Sequence, residues 1–277
     1  RHRRRNRIRR ILHWGAIGLS LTTVARALTV AFALYNLPDP GELFQRRVIQ
    51  STKIYDRTGA VLLYEIHGEE RRTVIPLSEI PDVARQATIT VEDTNFYQHH
   101  GVDLRGILRA FLTDVATGNL RQGGSTITQQ LVKNALLGRE RTLRRKIKEA
   151  ALAIRLEARL SKDEILALYL NQIPYGSNAY GIEAAAETFF GKRSGDLLPQ
   201  EAALLAALPA APSYFSPYGQ RKDELLNRKD YILKRMGELG YLSPEDATTA
   251  RQAKLKFLPA TKNIRAPHFV MSVRDYL

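Results

Sequence analysis

The stretch VEDTNFYQHHG (residues 91–101) sets two adjacent acids, Glu92 and Asp93, beside Phe96, Tyr97 and the pair His99–His100. A carboxylate against apolar walls has its charged form disfavoured and becomes a better base, the kind of group that takes a proton from a hydroxyl. The preceding ATIT reads as an apolar helix that ends on these acids, so they sit at the edge of packed structure; the plainer reading is a solvated helix end with Phe96 packed beneath. A second stretch, QGGSTITQQLVKN (122–134), turns tightly at Gly123–Gly124, and Ser125 or Thr126 can cap the helix that follows. Free N–H groups at such a helix start favour an anion. Thr126, Gln130 and Lys133 fall at i, i+4 and i+7 and so share a face that suits a sugar and a phosphate, although an ordinary capped amphipathic helix would look the same. The third stretch, RTLRRKIKEAALAIRLEARL (141–160), pairs Arg145 with Glu149 at i, i+4 beside Lys146. Its buried face is expected to be Leu143, Ile147, Ile154 and Ala158, with a salt-bridged exposed helix as the bland alternative.

The elements that must hold these groups are mostly helices. From Asp82 to about Ala250, alanine- and leucine-rich segments are broken by glycine or proline at TGN, QGGS, IPYGS, FGKRSGDLLP and AAPSYFSP. Ser243 before Pro244 marks a helix start, and Ser78 in PLSEIP is a candidate cap for the segment after it. Between Lys53 and Val74, β-formers alternate around a turn at Thr58–Gly59, which predicts a short ribbon. PDPGE (38–42) breaks what precedes it, and no internal repeat is present.

What precedes it is RHRRRNRIRR followed by a long apolar run to Leu37, with Trp14 and Tyr35 near its two ends. That pattern predicts a single transmembrane helix over 11–37, its arginine-rich flank (1–10) cytoplasmic and all that follows outside. A signal peptide, a core helix and a nucleic-acid arm fit less well. Arg26, near the middle of the span, costs roughly 2.5–3.5 kcal/mol on insertion scales, which the surrounding aliphatics offset. The chain carries 42 Lys+Arg against 28 Asp+Glu, a net charge of +14, which predicts a polyanionic partner. Half of that excess lies in the first ten residues, and no aromatic-basic stripe is evident elsewhere, so nucleic acid is not expected. With no cysteine, disulfides and thiolate metal sites are excluded.

Together, EDTNFYQHHGVD, GGSTITQQLVKN, RKIKEAALAIRLE and EILALYLNQIPYGSNAYGIEAAAETFFGK strongly resemble, in order and spacing, the peptidoglycan glycosyltransferase domain of class A penicillin-binding proteins. The resemblance runs from about Thr52 to the C-terminus. It implies a mainly α, lysozyme-like, two-lobed glycosyltransferase domain over 81–258, a β-ribbon segment over 38–80 and the N-terminal transmembrane helix. Residues 259–277 would begin a linker to a transpeptidase domain, since no Ser-x-x-Lys or Lys-Thr-Gly motif appears here.

The implied activity is polymerisation of lipid II at the outer face of the bacterial cytoplasmic membrane, with inversion at the anomeric carbon and release of undecaprenyl diphosphate. By position, Glu92 matches the base and Glu149 the second acid, which works on the leaving group through Mg²⁺ or Mn²⁺ or a basic neighbour. Ser125, Thr126, Gln130, Lys133 and Asn134 match the substrate-contacting motif, with Arg145 and Lys146 as further phosphate-side cations. Asp93, Phe96 and His99 match positions that shape the Glu92 pocket, and for His99 a structural role is as good a reading. Tyr180 and Gly181 would be fixed points of the cleft wall. Implied partners are lipid II, the growing glycan strand, membrane lipids, the transpeptidase domain and cell-wall synthesis or division proteins. Two features depart or stay open: many relatives are basic near Ala210, and Phe111 and Leu112 suit either lipid or core. The competing activity is a lysozyme-like glycan hydrolase or lytic enzyme, against which the basic QQLVKN face and the membrane anchor argue.

Overall fold

A computed structural model describes residues 52–59, 62–66, 71–107, 109, 124–137 and 142–260, with isolated positions 14, 20, 35, 37–39, 41, 269 and 273. The arginine-rich tail, most of the apolar span 11–37, Phe111, Leu112 and most of the segment after Ala260 lie outside them. No helix among the described residues is long and apolar enough to cross a membrane.

The described chain is mainly helical. β1 (Thr52–Tyr55) pairs antiparallel with β2 (Leu62–Ile66) across a turn in which the Gly59 N–H donates to the Asp56 carbonyl, so the expected ribbon is present. Lys53 ties it to the helical body through both carboxylate oxygens of Glu187, 2.7 Å away. The end of the predicted ribbon segment belongs elsewhere: β3 (Arg71–Arg72) runs parallel to β5 (Ala179–Tyr180), which pairs in turn with β4 (Pro174–Gly176).

Eight helices follow in the described residues: α1 (Asp82–Glu92), α2 (Ile127–Leu136), α3 (Leu143–Glu157), α4 (Lys162–Gln172), α5 (Ile182–Phe190), α6 (Pro199–Ala207), α7 (Lys222–Glu238) and α8 (Pro244–Gln252). Their ends follow local chemistry. Thr126 and Gln129 form a reciprocal capping box at the start of α2, and Ser161 and Glu164 do the same at α4. Ser243 caps α8 ahead of Pro244, as expected. Ser78 does not cap α1; it lies inside a 3₁₀ turn (Leu77–Glu79), and α1 starts from Pro81 without a side-chain cap.

One continuous apolar cluster joins the helices. α1, α6 and α7 pack on one another, while α2 packs on α3 and α4. Ile127, Leu131, Leu152, Leu156, Leu166 and Tyr169 fill the second group with no exposed surface. The buried face of α3 is therefore Glu149, Leu152, Ala153 and Leu156, not the stripe expected from the sequence. Leu143 is 75% exposed and Ile154 51%, with Ala158 exposed as well. The helix carries two apolar stripes, and the one with Leu152, Ala153 and Leu156 is the one that is buried.

The strand pair before α5 is locked by a short-range fit. Asn171, buried at the end of α4, accepts from the Ile75 N–H at 3.0 Å and donates to the carbonyls of Ile75 and Ala167. Gly181, at φ +82°, passes so close that a Cβ there would lie 2.7 Å from the Asn171 carbonyl oxygen. Gly240 shares the positive φ (+77°) but has nothing within 4 Å. Gly181→Ala is therefore expected to cost roughly 2–4 kcal/mol, strain plus clash, and Gly240→Ala only about 1–2 kcal/mol of backbone strain. Urea unfolding of the two variants separates these contributions; equal losses would show that the Gly181 contact relaxes freely.

Candidate active site

Glu92 closes α1, and four elements converge on its carboxylate. Gln130 of α2 donates from Nε2 to Glu92 Oε2 at 2.7 Å. Tyr169 of α4 donates to Gln130 Oε1 at 3.2 Å, which fixes the amide's orientation. The hydroxyl of Tyr175 in β4 and Glu92 Oε1 are both sealed from solvent with no hydrogen-bond partner among the described residues. Burial pushes the Glu92 carboxyl above its ordinary range; the Gln130 hydrogen bond and the charges of Arg228 and Lys133 oppose that rise without cancelling it, and Asp93 adds to it. The same charge, together with burial, pushes the Tyr169 and Tyr175 hydroxyls up, so both remain protonated.

A second cluster surrounds Glu149, which is 2% exposed on α3. Arg145 Nε and Lys146 Nζ each lie 3.0 Å from one of its oxygens, and Lys146 also donates to Ser125 Oγ at 2.6 Å. Lys133 lies between the clusters: it feels the charges of Glu149 and Glu92 as well as those of Arg145 and Lys146, and burial depresses its amine. Three cations thus surround a single carboxylate. The excess of positive charge beside a helix start suits an anion with several oxygens.

The remaining sequence-predicted residues divide. Asn134 is exposed on α2, beyond Lys133. Asp93, Phe96, His99 and Thr126 are buried, at 7%, 0%, 9% and 2% exposure. Asp93 Oδ2 accepts the Ile127 N–H at 3.0 Å and lies 2.8 Å from His99 Nε2, while the Thr126 hydroxyl donates to the Gly101 carbonyl at 2.7 Å. These contacts hold the start of α2 against the end of α1. Tyr180 lies under Arg72, 5.1 Å from ring centre to guanidinium, in the small sheet. Sequence reasoning missed Tyr169, Tyr175 and Arg228. Tyr169 sits in an apolar helical run that reads as packing, Tyr175 lies in the IPYGS break between helices, and Arg228 comes from α7, far along the chain and without a motif of its own.

A family model described as Transglycosylase matches residues 59–237, a span that contains both clusters and Arg228. The chain belongs to the transglycosylase family. Penicillin-binding protein 1A of Aquifex aeolicus is 42% identical over 264 residues, covering 95% of this chain and 36% of that protein. Penicillin-binding protein 1A of Escherichia coli is 42% identical over 236 residues, covering 85% and 27%. The crystal structure of Penicillin-Binding Protein 1A from Haemophilus influenzae superposes with a TM-score of 0.46 at 25% identity, over 83% of this chain and 24% of that one. The chain spans about a third of the length of the curated relatives it matches.

In this transglycosylase domain Glu149 does not fit a resident divalent cation. Both its oxygens face basic side chains at 3.0 Å, and the described residues hold no group of three His, Cys, Asp or Glu placed to share an ion.

Holding Glu92 ionised works against folding. Below the unfolded carboxyl value of 4.5 the group is neutral in both states and carries no penalty; as pH rises through its raised folded value, the penalty appears in full. Glu92→Gln keeps an oxygen for the Gln130 amide and removes the charge. The variant should melt higher than the parent at pH 7.5, with the gain vanishing near pH 4.5. A thermal-shift series across that window tests it; a variant less stable at pH 7.5 would mean that the field of Arg228 and Lys133 outweighs burial.

Proposed function

We propose that this domain is a peptidoglycan glycosyltransferase that polymerises lipid II into glycan strands on a lysozyme-like, two-lobed scaffold. The observation that carries the reading is the pair of unlike stations linked through Lys133: a buried carboxylate with a raised pKa, and a cation cluster around Glu149. Attack by a sugar hydroxyl on an anomeric carbon needs a base, whereas a diphosphate departs as an anion and needs positive charge more than a proton. In the reaction the acceptor 4-hydroxyl gives its proton to Glu92, and its oxygen forms the bond to the donor's anomeric carbon. The carbon–oxygen bond to the diphosphate breaks, the electron pair leaving with undecaprenyl diphosphate beside Lys133, Arg145 and Lys146. Attack and departure on opposite faces of the sugar invert the anomeric carbon. Glu149 holds Arg145 and Lys146 in place and keeps the cluster from being all one sign.

A lipid-linked substrate requires a membrane surface, and the outward stripe of α3 suits one. Leu143, Ile154 and Ala158 are exposed there, beside Arg144, Arg155 and Arg159. Arg159 Nη1 pairs with Asp39 at 2.6 Å, so the chain that leaves the apolar run 11–37 meets the domain at the end of this stripe. This supports a domain seated on the outer leaflet of the cytoplasmic membrane, with the N-terminal tail inside and a transpeptidase domain following Ala260.

Purified protein given labelled lipid II in detergent is expected to yield long glycan chains, and Glu92→Gln to lose at least a thousandfold in rate while still binding lipid II. Wild-type protein that leaves lipid II intact and shortens finished glycan would replace this reading with the hydrolase. Binding to vesicles should rise with the fraction of anionic lipid and drop when Arg155 and Arg159 are both changed to Glu; equal binding to neutral vesicles would remove the charged surface from the account.

A further inference from the structure

Two buried polar atoms at the base have no hydrogen-bond partner among the described residues, and they belong to different elements. Glu92 Oε2 has its donor in Gln130, whose own carbonyl is taken by Tyr169. Glu92 Oε1 and the Tyr175 hydroxyl have no hydrogen-bond partner among the described residues. Tyr175 is 1% exposed, and Tyr169 is fully buried. Leaving a buried hydroxyl and a buried carboxylate oxygen unpaired costs about 1–3 kcal/mol each, and a phenylalanine would fill the ring's space without that cost. The backbone here is also set with care. Gly176, next in the chain, runs at φ +87°, and a Cβ there would come within 2.9 Å of the Pro212 carbonyl oxygen, which restricts how β4 can shift.

We propose that the Tyr175 hydroxyl is a substrate-orienting group, which together with Glu92 Oε1 brackets the acceptor sugar's attacking hydroxyl. The proposal rests on the glycosyltransferase reading above and assigns a further residue to that site. An attacking hydroxyl has one hydrogen and two lone pairs. The hydrogen points to Glu92 Oε1, the oxygen of that carboxylate that has no donor among the described residues. One lone pair accepts from the Tyr175 O–H, and the other is then directed at the donor carbon. Tyr175 keeps its own proton throughout, because burial and the neighbouring Glu92 charge both resist ionisation. Orientation of this kind acts on the rate at saturation more than on binding.

The test is Tyr175→Phe, compared with wild type for lipid II polymerisation and thermal melting. The expected result is a fall of about ten- to a hundredfold in kcat with little change in KM, and a melting temperature equal to or above that of wild type. Retained stability matters because a hydroxyl tied into the fold would lower the melting point when removed. Wild-type kcat in the variant overturns the proposal, and so does a lower melting temperature, which assigns the hydroxyl a structural partner. Failure of the underlying reading looks different: the wild-type protein itself would not extend lipid II, whatever stands at position 175.

Discussion

A carboxylate enclosed by protein, with one hydrogen-bond donor among the described residues, is the constraint around which this domain is arranged. Left alone, such a group takes up a proton and ceases to be a base. Gln130 supplies the donor, Tyr169 fixes which end of that amide faces Glu92, and Lys133 and Arg228 supply the opposing charge. These groups come from α2, α4 and α7, while the carboxylate comes from α1. The packing of α7 on α1 and of α2 on α4 therefore has a chemical consequence as well as a structural one. Shifting any of these contacts moves the proton affinity of the base.

The two adjacent acids show how neighbouring residues of one type acquire different work. Asp93 has its Oδ2 committed to the Ile127 N–H and to His99, inside the fold. Glu92, one residue earlier and still on the helix, has one oxygen committed and the other without a donor among the described residues. Around Asp93 a wider polar layer continues: His99 Nδ1 lies 3.9 Å from Glu157, which accepts from Thr128 and pairs with Lys162. That layer joins α1, α2, α3 and α4 beneath the site. It accounts for the burial of His99 and Thr126 within the same sequence stretches as Glu92 and Gln130.

Much of this was legible in the residues. Glycine, proline and capping serines or threonines mark most helix limits because they act locally, and the start of α2 follows Thr126 and Gln129 as such a pattern requires. Glu92, Gln130, Lys133, Arg145, Lys146 and Glu149 were visible because each lies within a short stretch whose spacing sets one face. What stayed hidden depends on distance along the chain. Arg228 reaches Glu92 only because α7 packs on α1, and Tyr175 matters only because the fold brings β4 within the field of the Glu92 charge. The misread face of α3 has another cause. Leu143, Ile154 and Ala158 follow helical spacing as well as Leu152, Ala153 and Leu156 do, and periodicity alone does not say which stripe meets the core.

That second stripe bears on the geometry of the reaction. A substrate whose lipid tail stays in the bilayer can raise its diphosphate only a short way above the surface. A helix with its side chains is about 10–12 Å across. If the outward stripe of α3 rests on the headgroups, the cation cluster on its other side stands roughly one helix diameter above them, within reach of long basic side chains. On the proposed function, α3 serves three surfaces at once: Leu152 and Leu156 in the core, Arg145, Lys146 and Glu149 for the diphosphate, and the exposed Leu143, Ile154 and Arg155 for lipid. A helix asked to do this needs a cap that does not depend on its neighbours, and Thr142 provides it by accepting the Arg145 N–H at 3.1 Å. The residue whose backbone that cap holds, Arg145, is the same one whose guanidinium pairs with Glu149.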